Sequence, residues 1–286
     1  MMEIHAILDK DAYIKANEEF LLPVCATPLK EFPFLTQLTG GGLRPREFSI
    51  LCGATGSGKT TFAANVSKSL MYSDVNHFVA SVETGYTDFV KRVMSAMAKK
   101  DWNTGDPVPV DDLKQFNESH GHYFVRKNLF LSLYEDRFTV NQLIHDIKWM
   151  VDNKGIKVAI VDNLNFFLEV TSASNQLIEM DRVIHDLIIF CKQTDVHIIM
   201  IMHPKKTENG RVESEFDIKG SSTAVQEAHN VFLWNRPSKD LIDSGAGHIT
   251  DRELKVAKMR RRGIAIGKRL LFSTEDGVSY QEKGYY

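Results

Sequence analysis

The chain has 286 residues, 43% of them hydrophobic and 25% charged, and its 35 Lys and Arg against 37 Asp and Glu leave a net charge of −2. That hydrophobic content suffices for a sizeable core and excludes an acidic or low-complexity disordered chain. The near-neutral balance excludes a generally basic nucleic-acid coat, so any contact with DNA or RNA has to be local.

The opening MMEIHAILDKD has neither the basic nor the apolar region of a signal peptide. Ile4–Leu22 is helix-like with a weak apolar stripe (Ile4, Ile7, Leu8, Ile14, Phe20, Leu21); Pro23 ends it and Pro28 follows. Residues 1–33 read as an N-terminal arm or linker helix, either a frayed terminus or a segment that docks on another subunit. From residue 34 to residue 286 no Pro/Gly linker and no fixed-period repeat divides the chain, so one domain is expected. Its β-like runs are Phe48–Cys52, His77–Val82, Asn128–Leu133, Lys157–Asp162 and Val196–Met202. Helical stripes lie between them, notably Val140–Val151 and Gln176–Lys192. Short apolar strands separated by helices predict a parallel sheet covered on both faces. After Met202 the alternation stops, and Val231–Trp234, Glu253–Met259 and Arg269–Ser273 are expected as antiparallel strands added to the sheet. Val196–Met202, the longest clean apolar run, is far below the ~18 residues of a membrane span. Cys25, Cys52 and Cys191 are too scattered for a disulfide framework or a zinc site. A reduced, cytoplasmic protein with no membrane partner is expected.

The segment Gly53-Ala54-Thr55-Gly56-Ser57-Gly58-Lys59-Thr60 follows the strand FSILC and leads through Thr61 into the helical run TFAANVSKSLMY. It satisfies the phosphate-loop (Walker A) pattern in its strand–loop–helix context. Gly56 and Gly58 let the backbone curl so that successive N–H groups point at phosphate oxygens, and the helix N-terminus adds partial positive charge. Lys59 is expected on the β- and γ-phosphates and the Thr60 hydroxyl on Mg²⁺. The cofactors implied are ATP, or another NTP or dNTP, and Mg²⁺. KVAIVD places Asp162 at the carboxyl end of a buried strand, where it can hold Mg²⁺ through water. Glu83 closes HFVASVE and is either the base that orients water or a helix-capping acid; His203 closes VHIIMIM and either faces the γ-phosphate or caps the strand.

The order of motifs carries a resemblance: the lead-in LTGGGLRP, the phosphate loop, the Glu83 strand, IVDNLNFF, IMHPKK, GSSTAVQEAHNVFLWNR and the late strand KVAKMRRRG. It resembles the RecA-type ATPase domain of ring-shaped replicative helicases, the mitochondrial Twinkle and bacteriophage primase–helicase branch more than bacterial DnaB. The resemblance runs from about residue 34 to residue 277. It implies an α/β fold of the RecA-like phosphate-loop NTPase type, with a mostly parallel central sheet, helices on both faces and C-terminal antiparallel strands.

By that resemblance Glu83 is the base, His203 the γ-phosphate sensor, Lys258 a piston lysine and Arg260 an arginine finger reaching the neighbouring subunit's nucleotide. Arg236 and Phe272 match positions that hold the nucleotide base. Seven Lys and Arg with no acid between Lys255 and Arg269 are also what a solvated basic strand pair would show. Which of Arg260, Arg261 and Arg262 is the finger stays open, with Arg260 favoured by its K-x-R spacing. DNA is expected along the loop Pro204–Gly220, through Lys205, Lys206, Arg211 and Lys219, although four acids there cancel the four bases. Phe166 and Phe167 in the preceding loop read as core residues, and Gln226 follows the DNA loop. The function implied is an NTP-driven helicase motor, a self-assembling hexameric ring on single-stranded DNA, with a separate primase or loader as a further partner. A RecA- or KaiC-like oligomeric ATPase without unwinding is the alternative.

Overall fold

The computed structural model describes residues 25–132, 139–163, 173–205, 210–219 and 222–286, together with Ile14, which is helical. Most of the expected N-terminal helix and Phe166 and Phe167 lie outside the described residues. A nine-stranded sheet organises the chain in the order β3-β2-β4-β5-β1-β6-β7-β8-β9. Its parallel part consists of β1 (Phe48–Cys52), β2 (His77–Ser81), β3 (Leu129–Leu131), β4 (Val158–Asp162), β5 (His197–Met202) and β6 (Asn230–Asn235). The antiparallel part is β7 (Arg252–Met259), β8 (Arg269–Ser273) and β9 (Gln281–Tyr285).

The expected α/β fold is therefore present, with one correction: β6 pairs in parallel with β1, so antiparallel pairing begins at β7. Orientation cannot be read from the run NVFLWN, because a strand buried on both faces looks the same in either direction. A ninth strand, β9, was not expected; its alternating exposed residues give no apolar run.

Helices cover both faces. On one, α5 (Val140–Lys154) and α6 (Ala173–Gln193) pack Leu143, Ile147, Val183, Ile184 and Leu187 against Phe48, Ile50, Ala159 and Val161. On the other, α2 (Lys59–Tyr72) and α3 (Gly85–Ala98) pack Phe62, Val66, Leu70, Phe89 and Val93 against Leu51, Val79, Val158 and Ile160. Successive strand residues thus serve opposite faces, as a period of two demands. Local signals fix the helix ends: Thr139 and Gln142 form a capping box at the start of α5, and Gly155 ends it in the left-handed conformation. Two further helices precede these, α1 (Pro33–Leu38) at the start of the domain and α4 (Val110–Val125) between α3 and β3.

Packing moves the expected boundary at residue 33 towards the N-terminus. Leu29 and Phe32 are buried, Phe32 lies against Phe62 and Phe272 with ring centroids 5.6 Å away in both cases, and Thr27 pairs with Leu43 through two backbone hydrogen bonds. Among the described residues no helix is long and apolar enough to cross a membrane.

Two histidines are sealed at the opposite edge of the sheet from the phosphate loop. His77 Nδ1 donates to Val75 O at 2.9 Å, so its Nε2 accepts from Ser67 Oγ at 2.7 Å. His197 repeats the arrangement with Arg44 O at 2.7 Å and Ser49 Oγ at 2.9 Å. Burial pushes both rings down to about 4. As pH falls below the ordinary value of 6.5, the unfolded chain takes up these protons first, so stability drops between about pH 6.5 and 4. The expected loss is about 2 kcal/mol per histidine by pH 5. Urea unfolding at pH 7.5 and pH 5 measures it, and a midpoint unchanged across that range would rule the pair out.

Candidate nucleotide-binding site

Because β1, β2, β4 and β5 are parallel neighbours, their carboxyl ends form one row. After β1 comes the phosphate loop. Gly58 sits at φ +89°, and a Cβ on it would lie 2.6 Å from the Tyr280 hydroxyl, so both conformation and space require glycine. The loop is braced from behind: Ser57 O accepts from Trp234 Nε1 at 3.0 Å and from Arg252 Nε at 2.8 Å. Trp234, Arg252 and Tyr280 come from distant strands and loops; Trp234 lies within GSSTAVQEAHNVFLWNR, but nothing in the sequence points any of the three at the phosphate loop.

Lys59 opens α2, and its Nζ donates to Gly53 O at 2.8 Å and Ala54 O at 2.9 Å. Burial lowers its pKa. Next to it Thr60 Oγ1 donates to Asp162 Oδ2 at 2.7 Å, and Thr61 lies half-buried in the same turn. Asp162 is 1% exposed; burial raises its carboxyl to about 6, against the opposing effect of the Thr60 hydrogen bond. A hydroxyl and a carboxylate are hard oxygen donors that suit Mg²⁺, which takes its remaining ligands from phosphates and water. Thr55 and Gly56 are exposed at the crest of the loop.

Glu83 and His203 do come together with this loop. His203 Nδ1 lies 3.4 Å from both Thr55 Oγ1 and Lys59 Nζ, and its Nε2 lies 3.7 Å from Glu83 Oε2. Burial, then the Lys59 charge, holds the ring below the usual histidine range. Between the two stands Asn163, whose Nδ2 donates to Glu83 Oε2 at 2.5 Å and to His203 Nε2 at 2.9 Å. The sequence displayed Asn163 in IVDNLNFF but gave no reason to assign it a contact.

The basic strand is elsewhere. Met259 pairs with Asn230 at the amino end of β6, so Lys258 and Arg260 sit at the edge opposite their own phosphate loop, roughly 17 Å away along the strand. Lys258 Nζ donates to Val225 O at 3.0 Å and to Gln226 O, and Arg260 Nη2 donates to Gln226 O at 2.7 Å. Both cap the end of the short helix α7 (Ser222–Glu227). Ala257 is the extra residue of a β-bulge between the pairs Phe232–Val256 and Val231–Lys258, which turns Ala257 and Lys258 to the same side, the α7 side. Arg261 pairs with buried Glu47 at 2.9 Å, and Arg262 donates to Gln37 O at 2.7 Å.

Arg236 is exposed just past the end of β6, on the phosphate-loop edge. Phe272 is a correction: it is fully buried, edge-on to Phe62 at 5.5 Å, and offers no face to a base. Arg211 is another. It pairs with Glu213 at 2.9 Å and with buried Glu253 at 3.0 Å, so its charge is spent inside the protein. Glu253 also takes Arg269 at 2.5 Å and the Tyr286 hydroxyl. Lys205 and Lys219 are exposed, although Lys205 Nζ donates to Phe216 O at 3.0 Å. Lys206 lies outside the described residues.

The fold has counterparts among solved structures. The ATPase domain of G40P superposes with a TM-score of 0.76 at 16% identity, covering 97% of this chain and 99% of that one. A DnaB-like replicative helicase, solved for its interactions with primase, gives 0.75 at 16% identity over 98% and 67%. These likenesses concern the fold. In sequence, the replicative DNA helicase DnaB of Pasteurella multocida (strain Pm70) is 23% identical over 213 residues, 70% of this chain. The chain spans only 45% of that relative's length. The profile of the DnaB-like helicase C terminal domain matches residues 30–276, and the chain therefore belongs to that family.

Proposed function

We propose that this chain is the NTP-hydrolysing motor of a replicative-type DNA helicase, working as a ring on single-stranded DNA with each nucleotide held between two subunits. The observation that carries the reading is the division of parts between two edges of one sheet. Lys59, Thr60, Asp162, Glu83 and His203 meet at the carboxyl edge, while Lys258 and Arg260 stand at the amino edge, out of reach of them. A finger so placed can serve only the site of another copy.

At that site the loop N–H groups and Lys59 would bind the phosphates, and Arg236 would lie beside the base. Thr60 and Asp162 would hold Mg²⁺, whose charge offsets that of the β- and γ-oxygens. Glu83 would accept a proton from the water attacking the γ-phosphorus as the bond to the β–γ bridging oxygen breaks. His203 is joined to the following loop by Lys219 N donating to His203 O at 3.1 Å, a short route from phosphate to the loop expected to meet DNA. A separate primase or loader is the partner we would look for. The alternative, a RecA- or KaiC-like ATPase that does not unwind, draws support from the internal pairing of Arg211, which leaves the loop a sparse set of cations.

Lys59→Ala should weaken fluorescent-nucleotide binding by about 100-fold or more, and near-native affinity would undo the phosphate-loop assignment. Glu83→Gln should keep that affinity and cut turnover by about 10²–10⁴. Arg260→Ala should cost about 10³–10⁵ in turnover, with part restored on mixing with Glu83→Gln subunits, because some interfaces then contain both an intact base and an intact finger. ATPase rate against protein concentration, with and without oligo-dT, separates the readings. Turnover that rises with assembly and with DNA leads to a forked-duplex unwinding assay; turnover indifferent to both removes the motor.

A further inference from the structure

Asn163 is placed to do more than fill space between two groups of the site. Its backbone is fixed, since Asp162 O accepts from Val82 N at 2.8 Å and Glu83 N at 3.4 Å and so ties the ends of β2 and β4 together. What freedom exists lies in the side chains. The contacts run in a line from the phosphate loop outward: Thr55 and Lys59 touch His203 Nδ1, Asn163 touches His203 Nε2, and Glu83 lies beyond Asn163.

Donor and acceptor roles follow along this line. An amide nitrogen only donates, so His203 Nε2 accepts from Asn163 and the ring hydrogen is on Nδ1. Lys59 Nζ also only donates, which leaves Thr55 Oγ1, at a long 3.4 Å, as the acceptor for that hydrogen. An anionic γ-phosphate oxygen is a stronger acceptor than a distant hydroxyl. A planar ring that turns Nδ1 towards such an oxygen carries Nε2 away from Asn163. The 2.5 Å contact on Glu83 Oε2, meanwhile, occupies a lone pair of the carboxylate that has to take a proton from water.

We propose that Asn163 is a positioning residue that restrains the Glu83 carboxylate through one amide N–H until the γ-phosphate draws His203 off the other. This rests on the reading of the site as a nucleoside triphosphatase. Occupancy of the sensor would thereby be transmitted to the base by the loss of one hydrogen bond, with no backbone rearrangement.

The test compares wild type with Asn163→Ala in steady-state ATP hydrolysis, with and without oligo-dT, alongside fluorescent-nucleotide titration and thermal melting. Removing the restraint should raise the DNA-free kcat about threefold or more and shrink stimulation by oligo-dT to match, with KM and nucleotide affinity kept within about twofold. A merely structural defect would lower kcat or shift KM, so a rise distinguishes the two. Asn163→Asp, of equal size but without donors and repelled by Glu83, should change kcat in the same direction and decides the matter if the alanine variant does not fold. Adding Glu83→Gln to Asn163→Ala should abolish the raised rate. A DNA-free kcat that is unchanged or lower in a folded variant, or a raised rate that survives Glu83→Gln, overturns the restraint alone. Absence of hydrolysis by the wild type overturns both the restraint and the ATPase reading beneath it.

Discussion

Parallel pairing of β1, β2, β4 and β5 is the constraint on which the site depends. Each strand is nearly or fully buried on both faces, so no polar side chain can sit along its length without a partner, and polar groups are pushed to the ends. Since all four run the same way, their carboxyl ends place the phosphate loop, Glu83, Asp162 with Asn163, and His203 side by side. The core thus sets the geometry of the chemistry. The apolar packing of Phe48, Ile50, Val161 and Met200 and the spacing of the polar row at the carboxyl edge are one structural fact seen from two directions.

Much of this was legible in the residues. The apolar runs marked β1 with its bounds unchanged and β2, β3, β4 and β5 to within a residue or two at each end, because length and flanking turns separate short buried strands from helices. The phosphate loop, Asp162, Glu83 and His203 stand out in the sequence because each closes or directly follows such a run. What stayed hidden depends on tertiary placement. Strand direction at β6 leaves no mark on a doubly buried segment. The aromatic Phe272 reads equally well as a base platform or as core, and only its packing against Phe32, Phe62 and Trp234 decides for core. Arg211 lies in a loop that resembles a DNA contact, and its partner Glu253 is 42 residues further along the chain.

The two edges of the sheet are braced by different parts of the chain. At the carboxyl edge the phosphate loop is fixed by Trp234, Arg252 and Tyr280, side chains drawn from the β6 to β9 half of the molecule. At the amino edge Lys258 and Arg260 rest on backbone carbonyls at the end of a six-residue helix. The antiparallel strands join the two, since β7 begins with the Arg252 that braces the loop and ends beside the Arg260 that leaves it. They are integral to the architecture of both edges.

The bulge at Ala257 divides β7 into two lengths of different phase. Up to Val256 the two-fold repeat is locked, because Leu254 and Val256 are seated in the core. Beyond the bulge the repeat restarts, with Met259 again seated in the core and Lys258 turned to the end of α7. The orientation of the basic tip is therefore tied to the core on both sides of the bulge, because an insertion or deletion at 257 would turn buried Met259 out of its seat.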